Sequence, residues 1–252
     1  MIQHMYEPRF YRHQFNSDQF VYFNIVYKET DIFLGIDVAD SDIDQIKIFS
    51  ENYIFDLRNE LEDYIKINAD FNTSLIPIDF DKNAPEIAQQ MMYATQKPGT
   101  GPMAAVAGAF SEFLGKAIID NFNINELIIE NGGDIFLKNN TDKVISIYAG
   151  NSPLSEKVGL VIPSKFSNLG ICTSAGTFGH SFSFGEADAV MIACESTLIA
   201  DAYATAFGNI IYNEDMIDPI INKVKSVSEI LSCVIIKGEK MGVCGQLEIK
   251  PL

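Results

Sequence analysis

Hydrophobic and polar positions change period several times along this chain, and each change marks an element. In QFVYFNIVYKETDIFLGIDV (19–38), β-branched and aromatic residues flank Lys28-Glu29-Thr30-Asp31, which predicts two strands joined by a tight turn. After Asp42 the period lengthens. Ile43, Ile46, Phe49, Tyr53, Leu57, Leu61 and Tyr64 recur every three or four residues and predict an amphipathic helix to about Asn68, with acidic residues on its wet face. Asn83-Ala84-Pro85 supplies a cap residue and an early proline for a second helix that stops before Pro98-Gly99. Residues 97–118 read as a loop entering a helix so rich in Ala and Gly that a neighbouring segment or a ligand must approach its backbone.

Strands are predicted on both sides of Gly132-Gly133 within 126–138, at 143–150, and near 158–162, 169–174 and 187–193. A second small-residue helix begins within 195–211 and another covers roughly 214–226. EILSCVIIKG (229–238) and GVCGQLEIK (242–250) close the chain as strands. This order predicts an α+β fold of two similar halves, about 1–150 and 151–252 of a single domain spanning 1–252, each an antiparallel sheet with helices packed on one face. No GxGxxG follows a strand, so nothing supports a Rossmann reading.

Composition adds limits. With 47% hydrophobic and 21% charged residues the chain is that of a globular protein with a substantial core. A formal net charge of -16 repels nucleic acid and anionic membrane surfaces, so neither is expected as a partner. An anionic small ligand needs backbone donors, a metal ion or local cations to reverse that sign. No run of membrane-helix length stands out, and MIQHMYEPRFYRHQF has no apolar signal core, which predicts a cytoplasmic protein. Cys172, Cys194, Cys233 and Cys244 lack CxxC spacing, and a cytoplasmic setting predicts no disulfides; Cys194 and Cys233 sit in apolar runs and read as core packing. Tyr6, Arg9, Tyr11 and Arg12 form a basic, aromatic cluster suited to covering a site, to an oligomer interface or to simple docking of the N-terminus.

Three segments carry candidate chemistry. Glu130-Asn131-Gly132-Gly133-Asp134 interrupts an apolar ladder; it reads either as a tight hairpin turn or as open backbone flanked by carboxylates for a polar ligand or metal. Residues 170–181 concentrate glycines and hydroxyls with Cys172 and His180, the equipment of a phosphate or polar-ligand loop. Asp201 and Thr205 lie four apart and so share a helix face; with a backbone carbonyl they form an all-oxygen set for a hard cation such as Mg²⁺. The plain alternative is that Asp201 complements a helix dipole.

Taken together, Gly101-Pro102-Met103-Ala104-Ala105-Val106-Ala107-Gly108, the Glu-Asn-Gly-Gly-Asp turn, Gly170-Ile171-Cys172-Thr173-Ser174 and Ala200-Asp201-Ala202-Tyr203-Ala204-Thr205 resemble a little-characterised ApbE-like family over nearly the whole chain. That family is distantly similar to the FAD:protein FMN transferases. The resemblance implies a T-fold-like arrangement and Mg²⁺ held against an FAD pyrophosphate by Asp201, Thr205 and the carbonyl of Ala204, with a further carbonyl near Ala104 or Ala105. It implies a flavin-nucleotide site, FAD or FMN, at Gly132, Gly133, Asp134, Thr173, Ser174, Gly176 and Thr177, and by analogy a homo-oligomer. Where the transferases carry His-Ile-x-Asp-Pro-x-Thr-Gly, this chain has His180-Ser181-Phe182-Ser183-Phe184-Gly185, without the Asp-Pro-x-Thr-Gly portion that helps form the flavin site.

The leading expectation is therefore a Mg²⁺-dependent protein for a phosphate-containing ligand, an FMN or nucleotidyl transferase in which His180 or a nearby carboxylate takes a proton from an acceptor hydroxyl. A second expectation is sulfur transfer through Cys172, which requires a lowered thiol pKa. A third is a non-catalytic binding module.

Overall fold

The computed structural model describes residues 19–38, 42–177 and 184–252. Eight antiparallel strands form one sheet. Its first half is the hairpin β1 (Val21–Tyr27) and β2 (Thr30–Asp37), followed by helices α1 (Ile43–Ile67), α2 (Ala69–Thr73), α3 (Glu86–Gln96) and α4 (Val106–Asn121), then the hairpin β3 (Glu126–Asn131) and β4 (Asp134–Lys138). The second half repeats the plan with β7 (Leu169–Ser174) and β8 (Ala189–Cys194), helices α5 (Thr197–Gly208) and α6 (Ile217–Val224), and the hairpin β9 (Ile230–Lys237) and β10 (Lys240–Gly245). Between the halves lie β5 (Lys143–Ser146) and β6 (Val158–Ile162), and the chain ends in β11 (Ile249–Pro251). The main sheet runs β1-β2-β3-β4-β7-β8-β9-β10, so the halves join where β4 pairs with β7. The α+β reading with two similar antiparallel halves is borne out.

Strand alternation divides the core. Leu127, Ile129 and Phe136 face the helices with Ile87, Met91, Leu114 and Ile118, whereas Ile128, Ile135, Leu137 and Ile171 face a small sheet of order β11-β6-β5. GVCGQLEIK does not stay one strand. Gly245 takes φ +115°, and a Cβ there would lie 2.2 Å from the Leu231 carbonyl, so the chain bends and residues 249–251 pair instead with β6. The expectation that no stretch has membrane-helix apolarity also needs correction: Pro102–Asn121 is long and apolar enough to cross a bilayer by length and composition. Its apolarity is spent in the core, where Ala109, Phe110, Leu114 and Ile118 are buried and α4 packs on β3, β4 and α5.

Glu126 shows how an acidic residue becomes interior. It is 1% exposed, yet its carboxylate accepts the Asn140 N–H at 2.8 Å, the Thr141 N–H at 2.7 Å and the Lys143 ammonium at 2.5 Å. Burial pushes its pKa up, but Lys143 and these donors outweigh burial and hold it below the ordinary carboxylate value. The charge thus ties β3 to the turn that leads into β5.

Candidate functional site

The small-residue helices α4 and α5 exist to approach each other. A Cβ at Gly108 would lie 2.6 Å from the Thr197 carbonyl oxygen and 2.9 Å from the Asp201 Cβ; one at Gly170 on β7 would lie 2.3 Å from the Thr197 Cα. The neighbour that the Ala- and Gly-rich helix requires is therefore α5 at Gly108, with the Phe136 ring against Gly115. The first turn of α5 is pressed against α4 on one side and the sheet on another.

At that distance each helix caps the other. Asp201 accepts the Gly108 N–H at 2.9 Å and also the Ala107 N–H, satisfying open donors in the first turn of α4. Glu112 of α4 returns the favour: it accepts the Ser196 hydroxyl at 2.9 Å and the Thr197 N–H at 2.5 Å at the start of α5. The Asn131 amide adds a bond to the Ala107 carbonyl at 3.2 Å. Asp201 does complement a helix dipole, but that of α4 rather than its own helix.

Cys172 lies beneath this junction, within electrostatic reach of both Asp134 and Asp201. Asp134 and Cys172 are direct partners across β4 and β7, and the Asp134 carboxylate is within hydrogen-bond reach of the thiol. The Cys172 thiol donates to the Thr197 carbonyl at 3.3 Å. Burial, reinforced by Asp134 and Asp201, pushes the thiol well above its ordinary pKa. The lowered pKa that a sulfur-transfer role requires is reversed here, so Cys172 is corrected to a buried, protonated core thiol. Mass spectrometry after brief alkylation of the native protein should find Cys172 unmodified and the half-exposed Cys244 labelled; the opposite order would reinstate Cys172 as a nucleophile.

Asp201 itself is buried, and burial pushes its pKa up to about 7, with the two N–H bonds from Gly108 and Ala107 only partly opposing the shift. Along α5, Thr197, Asp201, Thr205 and Gly208 follow at spacings of four, four and three and form one stripe. Ala204 is buried beside this stripe, in the apolar cluster that α5 forms with β7 to β9, and the 3-10 turn Pro102–Ala105, which carries Ala104, packs against α5.

The remaining predicted residues lie towards the C-terminal end of that stripe. Asn131-Gly132-Gly133-Asp134 is a two-residue hairpin turn with φ +68° and +100° at its glycines. Glu130 accepts the Gly133 N–H at 2.7 Å and lies on the opposite face of the sheet from Asp134, so the two carboxylates do not flank one ligand. Thr173 also points away from the helices by alternation, while its N–H reaches the Gly133 carbonyl at 3.2 Å. Ser174 faces α5, 3.2 Å from where a Cβ on Gly208 would sit. Gly176 packs backbone to backbone against Gly185, and Gly185 against Gly208, so both feet of the loop meet the end of α5. Thr177 is exposed there and donates to Asp188 at 3.1 Å. His180, like Tyr6, Arg9, Tyr11 and Arg12, lies outside the described residues.

Comparison with known proteins gives this arrangement a family. A family model described as "AbpE bacteria" matches residues 12–228. The chain belongs to this ApbE-like family. Within it, the chain is 41% identical over 228 residues to a UPF0280 protein of Methanocaldococcus jannaschii, covering 88% of this chain and 90% of that one. A UPF0280 protein of Methanococcus maripaludis is 40% identical over 229 residues, with the same coverage. A solved variant of the flavin transferase ApbE from Vibrio cholerae superposes with TM-score 0.53 at 11% identity, covering 89% of this chain and 96% of that one, and so shares the fold.

In this ApbE-like chain the donor chemistry fits a hard cation. A carboxylate offers about four lone-pair positions, and two N–H donors leave some of those at Asp201 unused. Thr197, one turn earlier, has a buried hydroxyl with no hydrogen-bond partner. No group of three or more His, Cys, Asp or Glu side chains gathers as a metal cluster among the described residues, so a hard ion there depends on hydroxyl and backbone oxygens beside one carboxylate. Glu112 and Thr197 are site-building residues that sequence reasoning missed, and Asn131 was read only as part of its turn, without its bond to the Ala107 carbonyl. Ser196 caps α5 with no side-chain bond to its own helix; the carboxylate that closes this end lies 85 positions away in Glu112, where no local signal points to it.

Proposed function

We propose that this ApbE-like chain binds a phosphate-containing ligand, a flavin nucleotide, together with Mg²⁺, and acts as a flavin transferase-like enzyme. The observation that carries the reading is Asp201: a buried carboxylate with its pKa pushed up to about 7, on the α5 stripe that also holds Thr205. A buried charge with this penalty calls for a cation, and a chain of net charge -16 needs one to accept a pyrophosphate.

Asp201 and Thr205 side chains, with the carbonyls of Ala204 and Ala104, would hold the ion. Bound Mg²⁺ supplies charge neutralisation on a transferring phosphoryl group. The chain's own residues do the rest. Glu112 and Asp201 lock α5 to α4 and fix the carboxylate. The Gly132-Gly133 turn, whose Gly133 backbone groups are held by Glu130 and the Thr173 N–H, lets the chain approach without side chains, and Ser174 offers a hydroxyl beside the C-terminal end of α5. Thr177, whose hydroxyl is engaged by Asp188, anchors a foot of the loop. His180, between those feet in sequence, is assigned the proton of the acceptor hydroxyl.

Calorimetric titration with FAD, FMN and ADP, with Mg²⁺ and again with a chelator, tests this. Heat of binding for FAD and ADP that appears only with Mg²⁺ supports a pyrophosphate site. Binding that is unaffected by the metal would remove the assigned ion, and no binding in either condition would overturn the reading. Mg²⁺-dependent binding without transfer to any acceptor would reduce the protein to a flavin-nucleotide binding module.

A further inference from the structure

Away from α5, a second pair of groups is placed for chemistry. Cys233 on β9 and Cys244 on β10 are direct partners in the antiparallel register. The Gly238-Glu239 turn is a two-residue hairpin, so Lys237 and Lys240 close it as a hydrogen-bonded pair, and alternation makes Cys233 and Cys244 another such pair. Residues so placed have Cα atoms ~5.5 Å apart, inside the ~4.4–6.8 Å range that a disulfide spans. Both side chains lie on the α6 side of the sheet, directly across from each other on neighbouring strands.

The two thiols differ as a reactive pair requires. Cys233 is 1% exposed, whereas Cys244 is half-buried on the sheet's edge strand. The hydrogen bond from Cys233, aided by Lys225, brings the Cys244 thiol down to about 7 although burial opposes it. That value gives a large thiolate fraction at neutral pH. Cys194, on the neighbouring strand, is buried and its thiol is pushed up by burial, so it does not compete as the attacking group.

We propose that Cys244 and Cys233 form a dithiol that exchanges reversibly with low-molecular-weight disulfides, with Cys244 attacking and Cys233 resolving. The Cys244 thiolate bonds to one sulfur of the small disulfide, whose S–S bond breaks and releases a first thiolate, which takes a proton from solvent. The Cys233 sulfur then displaces the second small thiol from Cys244, and the Cys233 proton leaves with it. The protein loses two hydrogens and is oxidised, and one small disulfide is reduced to two thiols. The resulting bond would staple the edge hairpin β9-β10.

The full chain is incubated with oxidised glutathione, quenched by alkylation and read by intact and peptide mass spectrometry. The expected product has lost the two hydrogens, carries a Cys233–Cys244 crosslinked peptide and returns to the dithiol with dithiothreitol. Cys233→Ser should instead accumulate a glutathione adduct on Cys244, and Cys244→Ser should accumulate neither product. Cys194→Ser should crosslink as the parent does, which separates the pair from its buried neighbour. Overturning results are a wild-type adduct on Cys244 that never resolves, a crosslink through Cys194, or no reaction in protein shown by circular dichroism to be folded.

Discussion

Asp201→Asn should weaken Mg²⁺-dependent binding of FAD and ADP by more than about 100-fold, the upper end of what even outer-shell partners of a metal cost. Stability should move by no more than ~1 kcal/mol, since the amide oxygen keeps one bond to the start of α4 and a buried charge is removed. The pH dependence gives a second readout. The folded-state pKa of Asp201 is raised from 3.8 to about 7, so the folded protein holds this proton more tightly than the unfolded chain does. Its contribution to stability is complete below 3.8 and is lost as pH rises through about 7. Urea denaturation between these values should show that decline in the parent and not in Asp201→Asn. A bound cation competes with the same proton, so Mg²⁺-dependent binding should weaken as pH falls below about 7. A variant that binds like the parent would leave Asp201 as nothing more than the cap of α4.

Periodicity made most elements legible because one side of each is buried: α1 buries Ile46, Leu57, Leu61 and Tyr64 as its spacing implied, and the β3-β4 turn falls on Gly132-Gly133. The small-residue pattern of α4 and α5 signalled a close approach, but it did not name the partner, because a glycine records that space is needed and not what fills it. Long-range pairing was the illegible part. Glu112 reads locally as a surface acid with Lys116 one turn on, and only the tertiary fold shows it closing the start of α5. Cys233 and Cys244 share no motif spacing, since strand register rather than sequence distance makes them neighbours. Cys172 was misleading for a related reason: Thr173 alternates to the other face, Ser174 lies further along the strand towards the end of α5, and the thiol itself is buried in the apolar layer between sheet and helix. Short α2 (Ala69–Thr73) was missed because a single buried residue, Phe71, holds it, too little to show a period.

Gly170→Ala should cost about 3 kcal/mol in urea denaturation, the upper part of the range for overpacking. The added methyl would sit 2.3 Å from the Thr197 Cα and 2.5 Å from its nitrogen, and both are backbone atoms that cannot turn aside. Gly99→Ala is the informative control: its surroundings are empty within 4 Å and its φ is +80°, so it should cost only the ~1 kcal/mol of left-handed backbone. Gly108→Ala presses on the same residue from α4, through the Thr197 carbonyl at 2.6 Å. Either substitution alone leaves α5 one direction in which to yield, and the pair removes it, so the double variant should lose at least ~0.5 kcal/mol more than the sum of the singles. Simple additivity would mean that the two contacts relax independently and that the helix is not clamped. The same movement reaches the proposed site. Asp201 is one turn beyond Thr197 and takes its two N–H bonds from the segment that Gly108 begins to bring close, so a displaced α5 should lose Mg²⁺-dependent binding even at urea concentrations where the variant is still folded. Retained binding in a destabilised Gly170→Ala protein would separate the clamp from the ligand site.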